Sequence, residues 1–570
     1  MGVLALLVLV PWLLGALASY PNQPPPLRRP IPPGPRPRLS HGFRRDSSLR
    51  VAQMLAVHEG LFDQLIDHAN PSLGTFSQRY WWNADHYGGP ASPIVLNAPG
   101  ESSIDGYQGY ATNTTLPGAM AQAVGGAAIV LEHRYWGHSS PYANLTAATL
   151  QYLTLQNAMH DVVRFAQVAD LPFARNTSAR GNATQSPSWP GSTPWVLSGC
   201  SYPGALTAWV AALAPGTFAA YHTSSAVVQA VSTMCEYFAP VERAMPSNCS
   251  TDFRRIIAHV DDVLASADDI QIARLKQQFG FADLRYNDDF AAALVTGLFD
   301  WQDTQFYTGY DPLHRMCDYI ENMWPGSNST DAGARGVGLL KATLGFAKWS
   351  REVMIPGSCV KTGYWSDRNT TACYDTHNAS SPVFADTSVA NTGNRQWMWL
   401  LCNEPFEYWQ ACGVGSEYQS GLVPKLLDRA YWRRQCSLFF PDTDGMTYGL
   451  RKGRSVDALN ALTGGWGDSS LTTAAMAAQG SPARGQPIIW TNGEFDPWRP
   501  ATVSADRRPG GPLPSGDNAP VWVIPRGSHC NDLLMGNGEA NSDVARIQKS
   551  EIDQVKRWVQ DFYARRARAV

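Results

Sequence analysis

Three short segments of this 570-residue chain carry residue types that together perform acyl transfer. The first reads Gly199-Cys200-Ser201-Tyr202-Pro203-Gly204, the second Gly493-Glu494-Phe495-Asp496-Pro497-Trp498, and the third Gly527-Ser528-His529-Cys530. A serine hydroxyl attacks a carbonyl only when a base takes its proton, imidazole is suited to that task, and a carboxylate behind the imidazole fixes its tautomer. Gly199 permits a tight turn, and the Tyr202 N–H that follows the nucleophile points at the developing oxyanion. A strict G-x-S-x-G pattern asks for glycine at 203, where this chain has Pro203 with Gly204 one residue later. Taken singly, each segment has a plain alternative: a Gly- and Ser-rich loop, a turn capped before Pro497, and one of twelve histidines.

The elements around them make the combination specific. Apolar runs bounded by turn residues predict strands over Ile94 to Asn97, Ala127 to His133, Trp195 to Ser198, Pro487 to Asn492 and Val521 to Pro525. Ser201 follows the third, Asp496 the fourth and His529 the fifth, in the order nucleophile, acid, base used by α/β-hydrolases. Helical spacing of Leu155, Ala158, Val162 and Phe165 over 154–167 alternates with the early strands, which argues for a parallel α/β sheet. Val544, Ile547, Ile552, Val555, Trp558, Val559 and Phe562 predict a closing amphipathic helix, with Asp543 as its cap. Between 227 and 394 the pattern turns helical, over Asp252 to Gln278 and Asp288 to Phe299. The expected organisation is a hydrolase domain in two parts, 51–226 and 395–570, around a helical cap at 227–394.

Composition narrows the setting. The chain is 44% hydrophobic and 16% charged with a formal charge of −3, which excludes wholesale disorder and gives no basic excess for nucleic acid. Residues 1–18 read as a signal peptide ending in Ala16-Leu17-Ala18, and 19–50 as a Pro- and Arg-rich propeptide or linker. The arm carries seven arginines against Asp46, so the rest of the chain is acidic. Ten cysteines without a metal-type CxxC pair, and sequons at Asn113, Asn144, Asn176, Asn182, Asn248, Asn328, Asn369 and Asn378, agree with export, either secreted or to a vacuole or lysosome. No later segment is long and apolar enough to span a membrane.

Beyond the three catalytic segments, FDQLIDH (62–68), FSQRYW (76–81), EHRYWGHSSP (132–141), LTLQNAMHDVVRF (153–165) and LCNEPFEYWQ (401–410) resemble one family. It is the prolyl-carboxypeptidase-like serine peptidases, which include lysosomal Pro-Xaa carboxypeptidase, dipeptidyl peptidase II and secreted fungal prolyl endopeptidases. The resemblance spans roughly residues 50 to 565. It implies an α/β-hydrolase fold with an inserted helical cap and peptide or protein substrates cleaved after proline, with no metal or cofactor. By it, Ser201, Asp496 and His529 form the triad, and Tyr202 with a donor near Gly100 forms the oxyanion site. Trp498 matches a proline-pocket tryptophan, against the plain reading of a buried indole. Glu404 matches an acid near the substrate, which either reads a substrate terminus or braces the cap. The family's cysteines imply bridges Cys235 to Cys402 and Cys249 to Cys317; Cys200 and Cys530 are either buried packing groups or a bridge beside the triad. The resemblance also implies action at acid pH, as a prolyl endopeptidase ahead of a Pro-Xaa carboxypeptidase or an Xaa-Pro dipeptidyl peptidase. An esterase on the same fold, or a binding protein that dispenses with Ser201, are the readings from other classes.

Overall fold

The computed structural model describes residues 56–175, 186–324, 326–327, 333–413, 418–442, 445–466 and 486–569. The signal peptide, the Pro- and Arg-rich arm and the sequons at Asn176, Asn182 and Asn328 lie outside the described residues. Eight strands form one sheet: β1 His58–Leu65, β2 Thr75–Asn83, β3 Ile94–Asn97, β4 Ala127–Leu131, β5 Trp195–Cys200, β6 Ala220–Ser224, β7 Ile488–Gly493 and β8 Val521–Ile524, in the order β1-β2-β4-β3-β5-β6-β7-β8. β1, β2 and β4 are joined antiparallel, and every pairing from β4 to β8 is parallel.

β3, β4 and the first half of β5 are continuous apolar runs because helices cover both faces. On one face Ile94, Leu96, Ile129, Leu131, Trp195 and Leu197 pack against Leu155–Val168 and Tyr202–Leu213. On the other, Val95, Ala128, Val130, Val196 and Ile489 pack under Leu116–Ala123 and the long C-terminal helix Ser542–Ala569. That last helix uses the expected stripe, with Val544, Ile547, Val555, Trp558 and Val559 buried. Its cap is Asn541 rather than Asp543: Asn541 Oδ1 accepts from the N–H groups of Asp543 at 2.9 Å and Val544 at 3.3 Å. Among the described residues, no helix is long and apolar enough to cross a membrane.

Between β6 and β7 the chain leaves the sheet at Ser224 and returns at Ile488, so residues 395–487 belong by topology to the same excursion as 227–394. In space, however, the helix Arg395–Asn403 leans on the hydrolase body. Trp399 Nε1 donates to Leu153 O at 3.1 Å and the Trp397 ring meets Tyr202 at 5.3 Å. The helix expected over Asp252 to Gln278 is two, Ser247–Ala265 and Asp269–Phe279. Ala267 at φ 56° turns the chain between them, and Asp268 caps the second through Ile270 N and Gln271 N. Asp288 to Phe299 likewise divides into Asn287–Leu294 and a 3₁₀ stretch, Thr296–Asp303.

All ten cysteines are bridged: Cys200 to Cys530, Cys235 to Cys412, Cys249 to Cys317, Cys359 to Cys373 and Cys402 to Cys436. The expected Cys235 to Cys402 bridge does not form. Cys402 rides on Arg395–Asn403, which packs beside Arg429–Phe439 and so faces Cys436. Cys235 lies where Met234 N donates to Trp409 O at 2.7 Å, three residues short of Cys412. Of the described sequons, Asn144, Asn369 and Asn378 are exposed and Asn113 and Asn248 half-buried.

Candidate active site

β5 ends in a sharp turn at Ser201, which opens the helix Tyr202–Leu213 and is held at φ 63°, ψ −128°. Two glycines make the turn possible. A Cβ on Gly199 would meet Pro203 O at 2.2 Å, and one on Gly204 would meet Ser224 O at 2.8 Å. Gly204 therefore does the work of a close approach to β6 that the strict motif assigns to position 203. Pro203 is tolerated because the first turn of a helix has no intrahelical use for its N–H. Ser201 N donates to Ser224 O at 2.9 Å, pinning the turn to β6.

Asp496 follows β7 and His529 follows β8. The two loops approach closely at Gly493, where a Cβ would meet Ser528 O at 2.3 Å, and Phe495 N donates to Gly527 O at 2.8 Å. His529 Nδ1 lies 2.9 Å from Asp496 Oδ1 and 3.1 Å from Oδ2. The ionised carboxylate only accepts, so Nδ1 carries the proton and Nε2 presents its lone pair. Asp496 Oδ1 also accepts from Trp498 N at 2.8 Å. Ser201 and Asp496 are wholly buried, His529 is 3% exposed, and neither Ser201 Oγ nor His529 Nε2 has a hydrogen-bond partner among the described residues. A buried hydroxyl and a buried imidazole nitrogen left unspent are what an acyl-transfer site keeps in reserve.

The remaining expected residues are placed as follows. Tyr202 presents its N–H at the helix start, and Gly100, in the loop after β3, lies against Pro203 of the same turn. The Tyr202 hydroxyl donates to His133 Nε2 at 2.9 Å. Burial depresses His133 to about 4, so it is neutral, and its Nδ1–H donates to Arg134 O at 2.8 Å. Trp498 is fully buried: its Nε1 donates to Gln302 Oε1 at 2.9 Å, and its ring meets Tyr237 at 5.1 Å, Tyr408 at 5.9 Å and His529 at 6.5 Å. Glu404 is raised above the ordinary carboxyl range by burial, and accepts from Asn403 Nδ2 at 2.7 Å and Arg454 Nη1 at 3.0 Å. These bonds tie Glu404 to the end of Arg395–Asn403 and to Arg454.

Two sets of residues at the site were not singled out from sequence. The insertion's Thr296–Asp303 stretch reaches the loops that carry Asp496 and His529: Trp301 Nε1 donates to Phe495 O at 2.7 Å, and Ser528 Oγ donates to Trp301 O at 2.8 Å. Beneath the site, His222 of β6 lies 3.4 Å from both Asp532 and Glu551, with Ser198 Oγ at its other nitrogen and Ser224 Oγ donating to Asp532. Burial works against the His222 charge, but the two carboxylates raise it to about 9, while burial and Asp532 raise Glu551 to about 7. The polar residues of the 132–141 and 153–165 motifs are braces: Arg79 donates to Glu132 at 2.7 Å, and Arg134 makes two bonds to Asp161, at 2.6 and 2.5 Å.

The strand order, the turn at Ser201 and the placing of Asp496 and His529 after β7 and β8 define an α/β-hydrolase fold. Solved α/β-hydrolases such as brefeldin A esterase (9% identity, 91% of this chain and 80% of that one, TM-score 0.28) and haloalkane dehalogenase DatA from Agrobacterium tumefaciens C58 (10%, 87% and 97%, TM-score 0.29) overlap it only slightly. A family model described as Serine carboxypeptidase S28 matches residues 64–449. The chain is 37% identical over 513 residues to "Serine protease vicPa" of Bipolaris victoriae (strain FI3), covering 90% of each. It is 26% identical to "Probable extracellular serine carboxypeptidase" of Arthroderma benhamiae, over 85% of this chain and 64% of that one. It is 22% identical to "Lysosomal Pro-X carboxypeptidase" of Bos taurus, over 88% of each. The chain belongs to the S28 serine peptidase family and is a serine-type peptidase.

Proposed function

We propose that the chain is an exported peptidase that cleaves on the carboxyl side of proline through Ser201, His529 and Asp496, as an endopeptidase working at acid pH. The carrying observation is the His529 to Asp496 pair at 2.9 Å, with Nε2 and the Ser201 hydroxyl both unspent. His529 Nε2 takes the Ser201 proton as Oγ bonds to the substrate carbonyl carbon. The oxyanion accepts from Tyr202 N–H and a donor of the Gly100 loop. His529 then passes the proton to the leaving amine, the C–N bond breaks, and water attacks the acyl-enzyme by the same proton route to regenerate Ser201.

Proline selectivity is supported by the Trp498 ring beside His529, backed by Tyr237 and Tyr408, since flat apolar faces suit a pyrrolidine ring. The names of the bovine and Arthroderma relatives favour a second reading, a carboxypeptidase of the same specificity, and the latter name supports export. Mass-spectrometric mapping of cuts in a mixed peptide library, from acid to neutral pH, tests all of this. Internal cuts after proline support the endopeptidase, cuts confined to the last residue support the carboxypeptidase, and cuts indifferent to proline sink the selectivity. Ser201→Ala should abolish turnover without blocking secretion; retained turnover refutes the triad. Hydrolysis of acyl esters alone would point to the esterase.

A further inference from the structure

Four of the five disulfides lie wholly within the excursion between β6 and β7, where they staple helices and loops to one another. The fifth is different in kind. Cys200 is the last residue of β5, immediately before Ser201, and Cys530 immediately follows His529. Their Cα atoms are 6.1 Å apart across a sequence separation of 330 residues. The bridge thus joins the nucleophile loop to the base loop, one residue from each reacting atom.

Its surroundings show why such a tie has work to do. Ser201 at φ 63°, Ser225 at φ 45° and Cys530 at φ 56° all occupy the left-handed region, which non-glycine residues enter at a cost of ~1–3 kcal/mol each. Such conformations persist only where neighbouring structure over-determines them. The histidine loop is held to the acid loop and the insertion, by Phe495 N to Gly527 O and by Ser528 Oγ to Trp301 O, each 2.8 Å, but its path to the serine loop runs through two links: Cys530 N donates to Ser225 Oγ at 3.0 Å, and Ser201 N to Ser224 O at 2.9 Å. Both links run to β6, and neither joins the serine loop to the histidine loop directly. Both cysteines are buried in the apolar cluster with Val196, Ile489 and Leu533, so the bridge is shielded on the sheet side of the site.

We propose that the Cys200 to Cys530 disulfide is a positioning element of the peptidase reaction: it fixes the distance and aim of His529 Nε2 toward Ser201 Oγ, and without it the enzyme folds but activates its nucleophile poorly. The inference rests on the triad reading above. Misplacing a catalytic group by about 1 Å costs ~10²-fold in rate. Cys200→Ala/Cys530→Ala should therefore lower kcat about 10- to 100-fold with KM within about twofold. Labelling of Ser201 by a fluorophosphonate, which reports nucleophile activation without the peptide subsites, should slow by the same factor. Cys359→Ala/Cys373→Ala is the comparator and should leave kcat and labelling unchanged. An unchanged kcat in the first variant, or equal losses in both, overturns the proposal.

Should the first variant fail to fold, the wild-type enzyme decides. A water-soluble phosphine reduces each bridge to two thiols, becoming the phosphine oxide. Activity should then fall in step with the free thiols counted by mass spectrometry at Cys200 and Cys530, not with those of the other four bridges. Activity retained after that pair is reduced also overturns it. Ser201→Ala separates the two ideas: turnover surviving in that variant refutes the triad, whereas its loss with the bridge-free enzyme fully active refutes the bridge alone.

Discussion

Asp496→Asn tests the base geometry most directly, because Asp496 Oδ1 serves two donors at once, His529 Nδ1 at 2.9 Å and Trp498 N at 2.8 Å, while Oδ2 stands 3.1 Å from the same His529 nitrogen. An amide satisfies this set in neither orientation. With its oxygen in the Oδ1 place, the tautomer survives, but an NH₂ group abuts His529 Nδ1–H and the imidazolium formed in the reaction loses its buried counter-charge. With nitrogen in the Oδ1 place, two donors collide at Trp498, and His529 is driven to the tautomer protonated on Nε2, where it cannot accept the serine proton. Loss of a buried charge partner costs ~3–5 kcal/mol, and an inverted tautomer about 10⁴-fold in rate. At about 1.4 kcal/mol per decade both routes give a kcat loss of ~10²–10⁴-fold. The assay is single-turnover cleavage of a proline-containing peptide beside circular dichroism of the same sample. A folded Asp496→Asn enzyme within tenfold of wild type would refute the assignment of Asp496 as the acid.

The buried His222, Asp532 and Glu551 cluster predicts greater stability at acid pH. Glu551 is raised to about 7, so the folded state holds a proton that the unfolded chain releases near its ordinary value of 4.5, and stability declines from there to about 7. His222, raised from 6.5 to about 9, contributes fully below 6.5 and loses its contribution between 6.5 and 9. The melting temperature should therefore fall steadily from pH 5 to 9, with the lower half flattened in Glu551→Gln; a Tm that rises over this range contradicts the account. Gly204→Ala drives a Cβ to 2.8 Å from Ser224 O, and overpacking against backbone should cost ~1–3 kcal/mol in urea unfolding together with kcat, since Ser224 O holds Ser201 N. Asp161→Ala strands the buried Arg134 guanidinium and should cost ~3–5 kcal/mol by the same measurement, whereas a loss under 1 kcal/mol would mean that the pair is not the brace described.

The strands leading to Ser201 and Asp496 are readable from sequence because each opens on an apolar run, Trp-Val-Leu and Ile-Ile-Trp, as strands covered on both faces usually do. β6 is not readable for the opposite reason. Its Ala-Tyr-His-Thr-Ser is fully buried, yet three of its polar side chains find partners hundreds of positions away, His222 in Glu551, Ser224 in Asp532 and Thr223 in Ile489 O. β1 and β2 mix polar and apolar side chains at one side of the sheet, and their pairing is set by partners rather than by their own pattern. The placing of Ser201, Asp496 and His529 after three strands is legible because order and strand ends constrain it jointly; the Cys402 partner is not, because helix packing inside the insertion selects it. Gly204 lies between these cases. Its glycine is visible, and its reason, the Ser224 carbonyl, becomes visible only in the fold.

Placing the insertion between β6 and β7 has a chemical consequence. The strand that precedes it ends at Ser224 and Ser225, which hold the backbone of Ser201 and Cys530, and the strand that follows it delivers Asp496. An excursion leaving and re-entering at those two points starts and ends beside the proposed triad. Its Thr296–Asp303 stretch, with the two residues after it, shows the result. Trp301 bonds the acid loop through Phe495 O and the base loop through Ser528, Gln302 holds Trp498, and Thr304 O accepts from Asn531 Nδ2 at 2.9 Å. Those same contacts help to seal Ser201 and His529 from solvent. On the proposed mechanism the sheet supplies the reacting groups, and the insertion meets them through Tyr237 and Tyr408, which pack on Trp498 of the loop after β7. If that mechanism holds, selectivity can change through the insertion without moving the strands that set the chemistry.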